Sequence, residues 1–304
     1  MAALAALIAF LAPRAALAHG AGPVGPHDFL HHWTLDPLVS IPLGLATALY
    51  ILGLGRFRNR RPPAAISPFH VTAFALAVGT MVLALLSPLE AITGTVLSAH
   101  MVQHVLIITA APLLFVLARP EIVWLRALPR AWRRRIGRGR GWRRFIRVMR
   151  RLSNPAPAAA LHAIAIWVWH APTLFDAALR HDWLHWLEHL SFFLTALLFW
   201  RGALRARLRH ETAPGALAAC FLTLLHGGFL GALLTFARRP LFSSDPEGLA
   251  AWGLTPLGDQ QLAGLIMWVP MGIVYMIAGL YVALRLIEPS RPSRPSLAGS
   301  PGRS

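Results

Sequence analysis

The sequence predicts an all-α integral membrane protein, a seven-helix transmembrane bundle with its N-terminus outside and its C-terminus in the cytoplasm. Three observations carry that prediction. The first is composition: of 304 residues, 56% are hydrophobic and 13% charged, with a mean hydropathy of +0.55. Soluble domains are nearer 45–50% apolar and about 25% charged. So few polar side chains cannot wet every face, and the soluble enzyme folds drop out. The second is length: about 20 apolar residues cross a bilayer as a helix, and seven windows qualify, at residues 37–54, 68–87, 98–118, 155–172, 183–202, 216–236 and 260–286. Proline at several edges fits helix starts and stops.

The third observation is how charge is distributed. All 29 basic residues are Arg. The segments between windows one and two and between three and four hold 4 and 13 of them; the stretch from Arg201 at the end of window five to window six holds 4, and that from Arg285 at the end of window seven onward holds 4. Only Arg14, Arg180, Arg238 and Arg239 lie elsewhere. Nine of the twelve acids (Asp28, Asp36, Glu90, Asp176, Asp182, Glu188, Asp245, Glu247 and Asp259) fall on the opposite side. Basic loops stay in the cytoplasm, which sets the orientation. The net charge of +17 therefore orients the protein.

Taken in order, residues 1–18 form an apolar run ending Ala16-Leu17-Ala18, which reads as a signal peptide with a small-residue cleavage site. Its first dozen residues nevertheless carry no positive charge. Residues 19–36 form a periplasmic N-terminal segment, and residues 37–287 the transmembrane domain. Within that domain the basic cytoplasmic loop 119–154 interleaves Arg with Trp124, Trp132, Trp142, Phe145 and Ile146. That pattern fits an amphipathic segment lying on anionic membrane lipid, and no base-reading fold accompanies it that would favour nucleic acid. Residues 288–304, rich in Pro, Ser and Arg, read as a disordered cytoplasmic tail. The single Cys220 excludes an intrachain disulfide and a CxxC motif.

Fourteen His in so apolar a chain require a reason. Polar side chains within spans are costly and mark function. Window three opens His100-Met101-Val102-Gln103-His104, placing two imidazoles one turn apart on one face. Window four ends Trp169-His170-Ala171-Pro172. Ahead of window five, His181, His185, Glu188 and His189 fall within an arc of roughly 100°. Window seven begins with Asp259, Gln260 and Gln261, then sets Met267 and Met271 one turn apart, with Trp268 between them. His104, His189 and Met267 each lie about 9–11 Å below the outer ends of their windows. If those helices are neighbours, they form one shared metal site near the outer surface.

Imidazole with thioether and no thiolate pair suits copper, and the thioether favours Cu(I). Zinc more often takes a Cys/His set or His with carboxylate around water, and haem takes His on facing helices. The ligand set expected is His100, His104, His170, His185, His189, Met267 and Met271. Supporting it are Glu188, His181, Gln103, Asp259, Gln260, Gln261 and Trp268. A bundle histidine also serves as a hydrogen-bonded link between helices, the reading preferred for His162 and for His226, which precedes Gly227, Gly228 and Gly231. Met267 and Met271 alone would be core packing. Cleavage after Ala18 would expose His19 as an N-terminal copper chelate near His27, His31 and His32. His70 and His210 receive no role.

Several blocks resemble the CtaG family of cytochrome c oxidase assembly factors of the caa(3) type. They are His100 to His104 followed by Ala110-Ala111-Pro112-Leu113-Leu114, and Trp169-His170-Ala171-Pro172 with Phe175-Asp176-Ala177-Ala178-Leu179. His185 with Glu188-His189 forms the third, and Asp259-Gln260-Gln261-Leu262-Ala263-Gly264 with Met267-Trp268 the fourth. The resemblance implies a bacterial inner-membrane protein needed to make active haem–copper oxidase, with oxidase subunits as partners and copper delivery as its contribution. A copper transporter using His162 and His226 as deeper stops is one alternative, and a haem-bearing oxidoreductase another. No Ser/His/Asp set, carboxylate dyad or phosphate-binding Gly loop points to catalysis.

Overall fold

The computed structural model describes residues 24–58, 66–206 and 212–287; the expected signal peptide, His19, His210 and the 288–304 tail lie outside them. Every regular element among the described residues is helical. After a short turn of helix at Phe29–His31, α1 spans Pro37–Arg58 and α2 spans Pro68–Leu85. The one-turn α3 is Pro88–Ile92, and α4 runs Leu97–Ala118. The basic loop resolves into α5 (Pro120–Ala127), α6 (Arg130–Arg138) and α7 (Arg140–Leu152). Then come α8 (Pro155–Trp169), α9 (Pro172–Arg180), α10 (Asp182–Ala206), α11 (Ala213–Thr235), α12 (Pro246–Ala251) and α13 (Pro256–Ile287).

Among the described residues, five helices are long and apolar enough to cross a membrane: α1, α2 continuing into α3, α4, α11 and α13. The α8–α9 pair makes a sixth if taken as one span, although it bends by 73°. The bend has a local cause: Pro172 cannot continue the helix, and the residue before a proline is pushed out of helical conformation. Ala171 accordingly takes φ −66° and ψ 126°. Helix α10 has 25 residues and is about 37 Å long at 1.5 Å per residue. It falls outside that set because Asp182, His185, Glu188 and His189 crowd its first turns and Arg201 and Arg205 its last. The chain is thus a multi-pass helical membrane protein. Lipid-facing surface is abundant, with Leu45, Ile51, Phe221, Leu225, Ile277 and Leu280 all exposed.

Helix α4 sits centrally, packed against α2, α10 and α13, while α8 and α9 lie against α10. The most intimate pairing is α11 with α13. A β-carbon at Gly264 would stand 2.7 Å from the Gly231 carbonyl oxygen, so these backbones touch through glycine. Small residues at such crossings are the usual device for tight packing within a membrane. Midway along α4 the backbone widens into a π-turn at Leu106–Ala110. Pro112 has no N–H to offer the Ile108 carbonyl one turn back, and the Trp200 indole N–H donates to it instead at 3.1 Å. That bond fastens α10 to α4 within the membrane.

The two ends of the bundle differ in charge. At one end, α1 and α5 meet through Arg56 bonded to the Ala127 carbonyl, and Arg201 pairs with Glu121 at 3.3 Å. The exposed Arg-rich helices α6 and α7 belong to this end. The first part of the basic loop is embedded rather than superficial. Val123 is fully buried, and the Trp124 indole donates to the Ala46 carbonyl at 2.8 Å. The starts of α4, α10 and α13 and the loops around them gather at the opposite end.

Candidate metal centre

Helix α4 begins without a cap of its own: Val96 precedes it with no side chain to accept a bond. Asp259, in the first turn of α13, takes that role from outside. Its carboxylate accepts the Leu97 N–H at 2.7 Å and the Ser98 N–H at 3.0 Å. A negative charge at a helix N-terminus is favourable, and here it fixes the rotation and depth of the turn bearing His100 and His104. The neighbouring amides fix the loop beyond α11: Gln260 accepts the Leu241 N–H at 2.6 Å and Gln261 donates to the Ala237 carbonyl at 3.2 Å. The Asp259-Gln260-Gln261 run is a clamp on the frame of the site.

A hydrogen-bonded chain orients α10. The Trp169 indole donates to the Ser191 hydroxyl at 2.7 Å, and that hydroxyl donates to the Glu188 carbonyl at 2.8 Å. This joins the end of α8, beside His170, to the turn of α10 that carries Glu188 and His189. Ligand atoms of His100, His185, Glu188 and His189 consequently all lie within 4.8 Å of one another. His104 Nε2 stands 2.8 Å from His100 Nε2 and 3.6 Å from Glu188 Oε1. The His170 ring is 5.8 Å from that of His104.

Hydrogen-bond directions define the rings. His100 Nδ1 donates to the Thr93 carbonyl at 3.3 Å, so its Nε2 carries a lone pair into the cluster. His170 Nδ1 donates to the Ile166 carbonyl at 2.7 Å, which leaves its Nε2 a lone pair too. Buried and without a hydrogen-bond partner are His104 Nδ1, His170 Nε2, His185 Nε2, His189 Nε2 and both Glu188 oxygens. Each unsatisfied buried polar group costs about 1–3 kcal/mol, and an unpaired buried carboxylate costs more. Their convergence on one volume is the arrangement a cation would satisfy. Three imidazoles and one carboxylate form a four-donor set suited to copper or zinc. Phe175, 5.2 Å from the His100 ring, and Phe192, 4.9 Å from that of His104, form an apolar wall beside it.

Gln103 turns away from the cluster, donating to the Ala84 carbonyl at 2.7 Å and to Glu90. Glu90 in turn lies 4.0 Å from His185 Nδ1. Met267 and Met271 are buried in the main apolar core, and the Met271 methyl takes the space beside Gly227. Trp268 covers Gly228 and Gly231, seating α13 on α11. His181 is exposed at the start of α10. His162 is satisfied by Thr195 at 3.2 Å and Tyr275 at 2.8 Å, a link between helices. His226 Nδ1 accepts the Trp167 indole N–H at 3.3 Å, His70 caps α2 with Ser67, and His32 pairs with Asp28 at 3.5 Å. Sequence reasoning missed Thr93, and it counted Glu90 only as an outer charge. A carboxylate so close to the end of a span was the available signal.

Fold and site together define a multi-pass helical membrane protein with a buried imidazole–carboxylate cluster near one end of its bundle. The chain belongs to the cytochrome c oxidase caa3 assembly factor family (Caa3_CtaG), whose model matches residues 48–288. It is also similar to an uncharacterized protein of Mycobacterium bovis and to one of Mycobacterium tuberculosis, each 25% identical over 243 residues. The match covers 78% of this chain and 36% of each relative, so the chain spans about a third of their length. No solved structure matches it.

Proposed function

We propose that this protein binds copper at the His100/His185/Glu188/His189 cluster, with His104 and His170 beside it, and assists its delivery to a haem–copper cytochrome c oxidase. The observation that carries this reading is the set of unpartnered, buried imidazole nitrogens and carboxylate oxygens converging from α4, α8 and α10. Copper is the cargo in this reading, and its recipient is the oxidase whose assembly the family's description names. In this role metal–ligand bonds exchange and no covalent bond of a substrate is made or broken, so the role is not catalytic. Both nitrogens of His162 are occupied by Thr195 and Tyr275, so His162 is not a free stop on a transport path, which favours holding over conduction.

In this reading α10 is the seventh span, the cluster end faces the outside, and the Arg-rich end faces the cytoplasm of a bacterial inner membrane. The oxidase subunits dock at the cluster end. Helix α7 supports a lipid contact at the other. At 100° per residue, Arg143, Arg144, Arg147, Arg150 and Arg151 share one arc, and Trp142, Phe145, Ile146 and Met149 the opposite one. Such a helix lies flat on anionic lipid.

The test is a strain carrying His104→Ala with His189→Ala. Its membranes are expected to keep the protein at the parental level and to lose most oxidase activity. Full oxidase activity in that strain would overturn the proposal.

A further inference from the structure

The cluster is more than one ion needs. Two of its imidazoles have a geometry of their own. Because His100 Nδ1 donates to Thr93, its Nε2 can only accept, and the 2.8 Å contact with His104 Nε2 requires the proton to sit on His104. When an ion takes the His100 Nε2 lone pair, that proton is left facing Glu188 Oε1, 3.6 Å away. His104 Nδ1 is thereby a lone pair, buried and without a partner. His170, held from its other nitrogen by the Ile166 carbonyl, offers a second such lone pair on Nε2. The rings are 5.8 Å apart, and Phe192 packs against both.

Two acceptors with no donor beside them, in apolar surroundings, leave a deficit that a cation fills. The ring nitrogens of one imidazole point in diverging directions, so an ion on His104 Nδ1 is not the ion held by His100, His185, Glu188 and His189. We infer that His104 and His170 form a second metal position, a two-imidazole site for Cu(I), one helical turn along α4 from the three-imidazole–carboxylate position. The inference rests on the copper reading above and adds a place within the protein to which the ion moves. The charge of the ion follows from the donors. Glu188, the carboxylate that contacts His104, does so on the Nε2 side and belongs to the first position, so a divalent ion on Nδ1 would keep its second charge uncompensated in a low-dielectric region, whereas a monovalent ion of low coordination number is accommodated.

The experiment is metal loading of the detergent-purified full chain, stripped of metal and titrated with Cu(I) under a reducing atmosphere, and separately with Zn(II). The expected Cu(I) content is about two ions per chain for the parent and about one for His170→Gln, while Zn(II) binds at about one in both. About one Cu(I) per chain in both proteins would overturn the second position and leave the proposed function standing. No Cu(I) in the parent would overturn both. Should His170→Gln fail to fold, X-ray absorption on the parent gives the same decision. A second equivalent of Cu(I) that adds a two-coordinate nitrogen signal supports the inference. An unchanged coordination number contradicts it.

Discussion

Glu188→Leu is expected to make the metal-free protein more stable while abolishing its stabilisation by copper. Both oxygens of Glu188 are buried without a hydrogen-bond partner, in a side chain with 0% exposure. Replacing a buried charge of this kind by an apolar side chain of similar volume is neutral or stabilising by about 1–4 kcal/mol. The parent should gain roughly 2.7 kcal/mol from copper at a hundred times its dissociation constant, and Glu188→Leu should gain almost none. Glu188→Gln, which keeps the shape and removes the charge, is expected to weaken copper binding by at least about 100-fold, beyond the loss usual for outer partners of a metal site. Thermal unfolding in detergent, with and without copper, measures both effects. A less stable metal-free Glu188→Leu that still responds fully to copper would contradict the role given to this carboxylate. A structural glutamate would show the reverse pattern, which is why the opposite signs are informative.

Asp259→Ala is the second large effect. It leaves the Leu97 and Ser98 amides without their acceptor at the start of α4. Charged hydrogen bonds of this kind are worth about 1.5–3 kcal/mol each, and the two share one carboxylate, so a total loss of about 2–4 kcal/mol is expected. Because the first turns of α4 carry His100 and His104, copper affinity should fall as well, by about tenfold or more. Asp259→Asn keeps one acceptor and should lie between the parent and the alanine variant on both scales. Unfolding temperature and competitive copper titration are the measurements. A stability loss with unchanged affinity would confine Asp259 to folding.

Much of the fold and of the site is legible in the amino-acid sequence. Apolar windows locate the long helices because the bilayer demands about 20 residues whatever the tertiary fold. The boundaries shift where local chemistry intervenes: α8 stops at Trp169 because Pro172 follows, and Pro172–Arg180 then forms a separate, bent helix. The i,i+4 spacing puts His100 with His104 and His185 with His189, since helix geometry alone decides that. What spacing does not supply is which helices are neighbours. Adjacency of α4, α8 and α10 rests on bonds such as Trp200 to Ile108 and Trp169 to Ser191, between residues far apart in sequence.

The same limit applies to the ligand set. Met267 lies at a matching depth, yet depth leaves azimuth open, and Met267 and Met271 are packed in the apolar core. Glu188, expected as a supporting residue, stands among the grouped donors, because its position on α10 turns both oxygens inward. Asp259, Gln260 and Gln261 are legible as a motif but not as a clamp, since their partners come from α4 and from the loop after α11.

The most direct test of the central claim is the copper content of the full chain purified in detergent from copper-supplemented cells, beside His104→Ala with His189→Ala. Copper at one equivalent or more in the parent, and less than about a tenth of that in the folded variant, is the result expected from a cluster of exchangeable imidazole ligands. Equal copper in the two proteins would place the metal elsewhere, and its absence from both would make the histidines of α4 and α10 a structural feature of the bundle.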